Sequence, residues 1–172
     1  MFKKIATTLA FAFVLTLTLS AQRIATVNVS QILENMTEYT NAQTQLDKVA
    51  AQWRQEIAQD YDEIKGLYNR YQAEQVLLSD DQRKQREDEI MEKEKAVREK
   101  QKVKFGPEGE LFEKRQELVQ PIQEKVYKAI QTYANDNGFD FIFDRGSNAG
   151  IIFANDQYDK TEDIQKVLGV NK

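Results

Sequence analysis

The stretch Ile64-Lys65-Gly66-Leu67-Tyr68-Asn69-Arg70-Tyr71-Gln72-Ala73-Glu74-Gln75-Val76-Leu77-Leu78-Ser79-Asp80-Asp81 decides the fold, because it holds the end of an outgoing helix and the reversal that follows. The apolar pair Leu77-Leu78 ends a helical periodicity, and Ser79, Asp80 and Asp81 favour caps and turns. The next helix is expected to start with Ser79 or Asp80 as N-cap and Asp81 in its first turn, where a carboxylate suits the positive end of the helix dipole. Upstream, residues 31–105 form 75 positions with one glycine, Gly66, and no proline, the mark of very long helix. Apolar or small residues recur at Ile32, Met36, Tyr39, Ala42, Leu46, Val49, Trp53, Ile57, Tyr61, Ile64, Tyr68 and Tyr71. Their spacing averages about 3.5 residues, as in the seam of a left-handed coiled coil. An outgoing helix of about 45 residues would be on the order of 65 Å long and must project from any small body.

Downstream of the reversal, residues 83–104 hold 15 charges in 22 positions, with Ile90, Met91, Ala96, Val97 and Val103 as the apolar contacts. This is a solvated return helix laced with i,i+4 pairs such as Glu94 with Arg98 and Glu89 with Lys93. Phe105-Gly106-Pro107-Glu108-Gly109 interrupts it, and Gly106, Pro107 and Gly109 are expected to form a hinge. Periodicity resumes at Leu111, Phe112, Leu118, Val119, Ile122, Val126, Ile130 and Tyr133, with a mild kink expected at Pro121, and Asp136-Asn137-Gly138 closes the helix.

The strands lie at the two ends. Ile24–Val29 reads as a short strand, with Ser30 as N-cap of the first helix. Phe139–Asp144 and Ile151–Ala154, joined by Arg145-Gly146-Ser147-Asn148-Ala149-Gly150, read as a β-hairpin, followed by a short helix over about 161–168. The fold class expected is therefore α+β: a small β body with a long α-helical hairpin inserted in it. Residues 22–30 and 112–172 form the body and 31–111 the arm. So few strands bury too little surface to stand alone. Oligomerisation through the body is expected, with Val27, Val29, Phe139, Phe141, Phe143, Ile151 and Phe153 at the interface.

Composition narrows the function. The 172 residues include no cysteine and no histidine, which excludes a thiol nucleophile, a Ser-His-Asp triad and the usual structural zinc clusters. Residues 1–21 carry Lys3 and Lys4, an uncharged run from Ile5 to Leu19, and then Ser20 and Ala21, the pattern of a cleavable secretory signal. Without residues 1–21, 22 basic and 28 acidic side chains remain, a net charge of −6. An acidic chain is a poor general binder of nucleic acid. Only residues 83–104 are net positive, with 9 basic and 6 acidic side chains. The absence of disulfides in an exported chain leaves stabilisation to a core or an assembly.

The arm is unbalanced. Trp53, Ile57, Tyr61, Ile64, Leu67, Tyr68, Tyr71, Leu77 and Leu78 face a return helix with few apolar partners, so apolar surface is expected to stay uncovered and to mark a binding surface. Each of these residues taken singly is better explained by filling the two-helix seam, with Lys and Arg stems covering the rest.

The order of elements resembles the Skp (OmpH-like) family of periplasmic chaperones. Local stretches carry the likeness too: Ile24-Ala25-Thr26-Val27-Asn28-Val29, Leu78-Ser79, Leu118-Val119-Gln120-Pro121-Ile122, Gly138-Phe139-Asp140-Phe141-Ile142-Phe143-Asp144 and Tyr158-Asp159-Lys160-Thr161-Glu162-Asp163-Ile164. The resemblance implies a periplasmic homotrimer whose three helical tentacles enclose a cavity that holds unfolded outer-membrane β-barrel proteins, without nucleotide, cofactor, metal or catalytic group. Client contacts are then expected at Trp53, Ile57, Tyr61, Leu67, Tyr68, Tyr71, Leu77, Leu78, Ile90, Met91 and Val97. The acidic balance argues against membrane or lipopolysaccharide contact, for which basic members of the family are suited. The hinge would let the cavity expand.

Other functions are weaker on the residues. Asp140 with Asp144, or Asp156 with Asp159, could serve as carboxylate pairs, but they lack the spacing of a cation loop and a convergent pocket. The sequons Asn28-Val29-Ser30 and Asn35-Met36-Thr37 fall on a strand end and a helix start, where chance accounts for them. The main alternative is a structural coiled-coil adaptor joining cell-envelope components through the hairpin tip.

Overall fold

The computed structural model describes residues 22–147 and 150–170, so the expected signal segment and two loop residues, Asn148 and Ala149, lie outside the described part. The elements are β1 (Ile24–Val27), α1 (Val29–Glu34), α2 (Thr37–Glu74), α3 (Asp80–Phe105), α4 (Glu110–Asn137), β2 (Phe141–Asp144), a 3-10 turn (Asp156–Tyr158) and α5 (Thr161–Val167). They divide into two compact units, 22–32 with 128–170, and 33–127. The second unit takes in residues 112–127, which the sequence had assigned to the body.

In the larger unit, α2 and α3 pack as an antiparallel pair around Ile57, Ile64, Ile90 and Val97, with Leu67, Tyr71 and Phe105 against them. The reversal is placed as expected. Ser79 caps α3 by accepting from the Gln82 backbone N–H, while the Gln82 side chain accepts from the Ser79 N–H, a reciprocal capping box. The outgoing helix is not continuous from residue 31. Met36 is extended, with φ −85° and ψ 122°, and separates α1 from α2. At ~1.5 Å per residue, the 38 residues of α2 span about 57 Å.

The seam is also displaced from the expected one. Buried positions run Ala42, Leu46, Ala50, Trp53, Ile57 and Ile64, and half-buried Asp60 and Leu67 continue that line, while Tyr68 and Tyr61, whose hydroxyl donates to Gln101 of α3 at 3.4 Å, lie at its exposed edge. From Leu46 this line steps 4, 3, 4, 3, 4 and 3, the alternation of a heptad seam, whereas the expected line takes successive steps of four from Val49 to Tyr61 and so leaves it. Asp60 is accommodated because Lys100 reaches it at 2.7 Å. Of the two ion pairs expected within the return helix, Glu94–Arg98 forms at 3.2 Å. Glu89 instead pairs with Arg86, and Lys93 crosses to Glu63 at 2.7 Å.

In the smaller unit, β1 and β2 pair in parallel, Ile24 opposite Phe141 and Val27 opposite Asp144. The expected hairpin of residues 139–144 with 151–154 is absent; 151–154 forms no strand. The reason lies in Asp144 and Arg145. The Asp144 carboxylate accepts from the backbone N–H of Val29 at 3.2 Å and of Gly146 at 2.8 Å, and the Arg145 N–H donates to the Val27 carbonyl at 2.8 Å. Arg145 then pairs with Asp159 at 3.0 Å. These contacts carry the chain across β1, where Lys160 N–H bonds the Thr26 carbonyl at 2.8 Å and Asp159 bridges Thr26. Both edges of β1 are thus occupied, and Ala25, Thr26 and Val27 are all buried rather than alternating.

Two caps differ in how well they were foreseen. Asn28, not Ser30, caps α1, its Oδ1 accepting from the Gln31 N–H at 3.0 Å, because the strand ends at Val27. Gly138 closes α4 as expected. With φ +65° it lets Phe139 N–H bond Ala134 O at 2.9 Å and its own N–H bond Asn135 O at 3.3 Å, both bonds of a Schellman motif. Arg23 reinforces that end by donating to the Asn137 carbonyl at 2.6 Å while lying over the Phe139 ring.

Candidate functional site

Among the described residues, no group of three or more carboxylates is placed to hold a metal ion, and none of their helices is long and apolar enough to cross a membrane. The informative chemistry is apolar surface.

On the larger unit the structure sorts the expected contact residues into three sets. Trp53, Ile57, Ile90 and Val97 are buried and fill the seam. Leu67, Tyr71 and Leu78 are half-buried, and Tyr71 donates its hydroxyl to Glu87 of α3, whose carboxylate holds the phenol above its ordinary value. Tyr61, Tyr68, Leu77 and Met91 are 43%, 49%, 83% and 57% exposed. They stand among charges, as on a surface that makes many weak apolar contacts with no fixed partner. Val76, beside Leu77 at the tip, is as open as Leu77 and was missed in the sequence, although the apolar run Val76-Leu77-Leu78 marked it. Val103, Phe112 and Tyr127 are likewise exposed and were not anticipated.

Two ion pairs hold this surface in place. Lys93 and Lys100 have their ammonium groups held above the ordinary 10.5, in each case first by the hydrogen bond to the carboxylate of α2, Glu63 and Asp60 respectively. These bonds tie α3 to α2 on either side of buried Val97.

On the smaller unit, the register puts Ile24, Thr26, Phe141 and Phe143 on one sheet face. Phe141 and Phe143 stack at 6.1 Å between ring centroids, and both are exposed, as are Ile24 and Tyr158. Phe153 is 85% exposed, and beside it a groove of about 480 Å³ is lined by Ile24, Thr26, Phe143, Ile151, Phe153 and Tyr158. Thr26 Oγ1, in the same groove, is buried without a hydrogen-bond partner. Of the residues expected at an oligomer interface, Phe141, Phe143, Ile151 and Phe153 border this open face, Phe139 stacks on Tyr133, and Val27 and Val29 are core. Tyr133 has its phenol held above the ordinary value by burial and by its bond to Asp163.

The arrangement defines a class: an α+β protein with a charge-rich helical hairpin carrying dispersed exposed apolar side chains, and a small parallel sheet with an uncovered apolar face. The family described as Outer membrane protein (OmpH-like) matches residues 23–168, and the chain belongs to that family. Among solved structures, a candidate outer membrane chaperone (OmpH-like) from Caulobacter crescentus CB15 superposes with a TM-score of 0.70 at 13% identity, covering 87% of this chain and 85% of that one. No curated protein matches the sequence.

Proposed function

We propose that this protein is a periplasmic holdase that binds unfolded outer-membrane β-barrel proteins between the helical arms of a homotrimer and keeps them from aggregating, without nucleotide. The observation that carries this reading is that Tyr61, Tyr68, Leu77 and Met91 stay exposed on a hairpin whose seam is already filled. Such a surface favours extended, apolar-rich chains over a folded partner of fixed shape, and binding of the unfolded form alone opposes its aggregation by mass action. Assembly is assigned to the open face of Ile24, Phe141, Phe143 and Phe153, an apolar patch that water disfavours and a second copy would cover. OmpH-like membership and the likeness to an OmpH-like fold support the same reading.

The test is light scattering with residues 22–172, first alone and then with several urea-diluted β-barrel proteins. A trimer that suppresses aggregation of unrelated barrels is the expected result; a chain that leaves their aggregation unchanged refutes it. The exposed tip residues Val76 and Leu77 favour one second reading, a coiled-coil adaptor that docks through the tip. It predicts one stoichiometric envelope partner and no suppression of aggregation.

A further inference from the structure

The break between α3 and α4 is built rather than loose. Gly106 N–H bonds Lys102 O at 2.8 Å, Gly109 N–H bonds Gly106 O at 3.0 Å, and Phe112 N–H bonds Gly109 O at 2.9 Å, so the chain changes direction with its backbone satisfied. The two glycines are required by close approach: a Cβ on Gly106 would lie 2.4 Å from the Lys102 carbonyl oxygen, and one on Gly109 would lie 2.6 Å from that of Val103.

Three side chains close the break against the helix opposite. Lys104, near the end of α3, donates to Glu110, the first residue of α4, at 2.5 Å, and its ammonium sits 4.5 Å from the centre of the Trp53 ring. Phe105 meets the same indole edge-on at 6.1 Å. Trp53 is only 9% exposed and lies within α2, which runs unbroken past the junction. The cation is therefore held by a carboxylate on the far side of the break and by an aromatic face on the continuous helix.

We propose that Gly106–Gly109 is a clasped joint and not a free hinge: Lys104, held between Glu110 and Trp53, locks the angle at which α4 leaves α3, and the joint bends only after this clasp opens. α2 acts as the splint. The inference stands on the joint's own geometry and does not depend on the holdase reading.

Trp53 is the chain's single tryptophan, so its fluorescence reports the joint directly. The experiment compares the full mature chain with Glu110→Gln and Lys104→Met by acrylamide quenching and by amide exchange resolved over 103–112. Gly106, Gly109 and Phe112 amides are expected to be protected in the wild type. Both substitutions should accelerate their exchange about tenfold and roughly double the quenching, the size expected for loss of a charged hydrogen bond, with the amides of Ile64, Ile90 and Val97 unchanged. Wild-type exchange at the rate of an unstructured peptide would overturn the proposal, as would Glu110→Gln leaving both readouts within about twofold of wild type. The near-isosteric Glu110→Gln carries the decision if Lys104→Met fails to fold.

Discussion

Replacing Tyr61, Tyr68, Leu77 and Met91 together by serine tests the contact surface most directly. An aromatic side chain offers roughly 150–250 Å² of area, and Tyr61 and Tyr68 are each about half exposed, so on the order of 100 Å² of each is open to a client. If a mobile client covers about half of that at a time, each residue contributes about 1 kcal/mol at ~25 cal/mol per Å². Four such contacts sum to about 3–4 kcal/mol, or roughly a 100-fold to several-hundred-fold weaker Kd. None of the four is a buried seam residue, and Tyr61 gives up only an exposed 3.4 Å hydrogen bond to Gln101, so stability should change by less than about 0.5 kcal/mol each. The assay is binding of a urea-diluted β-barrel protein followed by fluorescence anisotropy, with light scattering for aggregation and circular dichroism for the melting curve. A variant that melts like wild type and binds within about threefold of it would refute the reasoning, because uncovered apolar area would then carry no client affinity.

Other perturbations probe the scaffold. Ile64→Ala removes a buried contact from the α2–α3 seam and should cost about 2–3 kcal/mol in urea unfolding, towards the low end for such changes because a two-helix seam can partly collapse. If the proposed assembly uses the open sheet face, Phe143→Glu with Phe153→Glu should yield monomers in sedimentation velocity with the far-ultraviolet spectrum retained, whereas an oligomer that persists would refute that interface. The raised Lys93 and Lys100 values mean that these ion pairs contribute fully below the unfolded lysine value of about 10.4 and lose their contribution as pH climbs through the higher folded values. The wild-type Tm should therefore fall more steeply above pH 10 than that of Lys93→Met with Lys100→Met, measured by differential scanning calorimetry. Gly138→Ala forces a side chain into φ +65° and should destabilise the protein by about 1 kcal/mol in the same measurement.

Local rules were enough for the helical hairpin from its reversal onward, though not for the break at Met36. A glycine-poor, proline-free run, a cap at Ser79 or Asp80, a Gly-Pro break at 106–109 and a Gly138 terminus each act within a few residues, and short-range sterics and hydrogen bonding settle them. Periodicity also identified which residues are apolar enough to matter, but not which of them face the partner helix. Regular alternation of four and three residues from Leu46 brings Asp60 and Leu67 into the seam and leaves Tyr61 and Tyr68 at its exposed edge, and the two assignments differ by only one position per turn. Lys100 makes the difference tolerable by reaching Asp60 from the other helix, a contact across 40 residues that no local window contains. The sheet was decided at still longer range. Phe141–Asp144 has strand propensity whichever neighbour it takes, and pairing depends on what satisfies its edge. Here β1, more than a hundred residues away in the chain, supplies the ladder, while Arg145 and Asp144 steer residues 151–154 away from the hairpin. Propensity thus located most elements of this protein, but neither the break at Met36 nor the failure of residues 151–154 to form a strand. Tertiary structure decided their partners, and with them the apolar side chains left facing solvent.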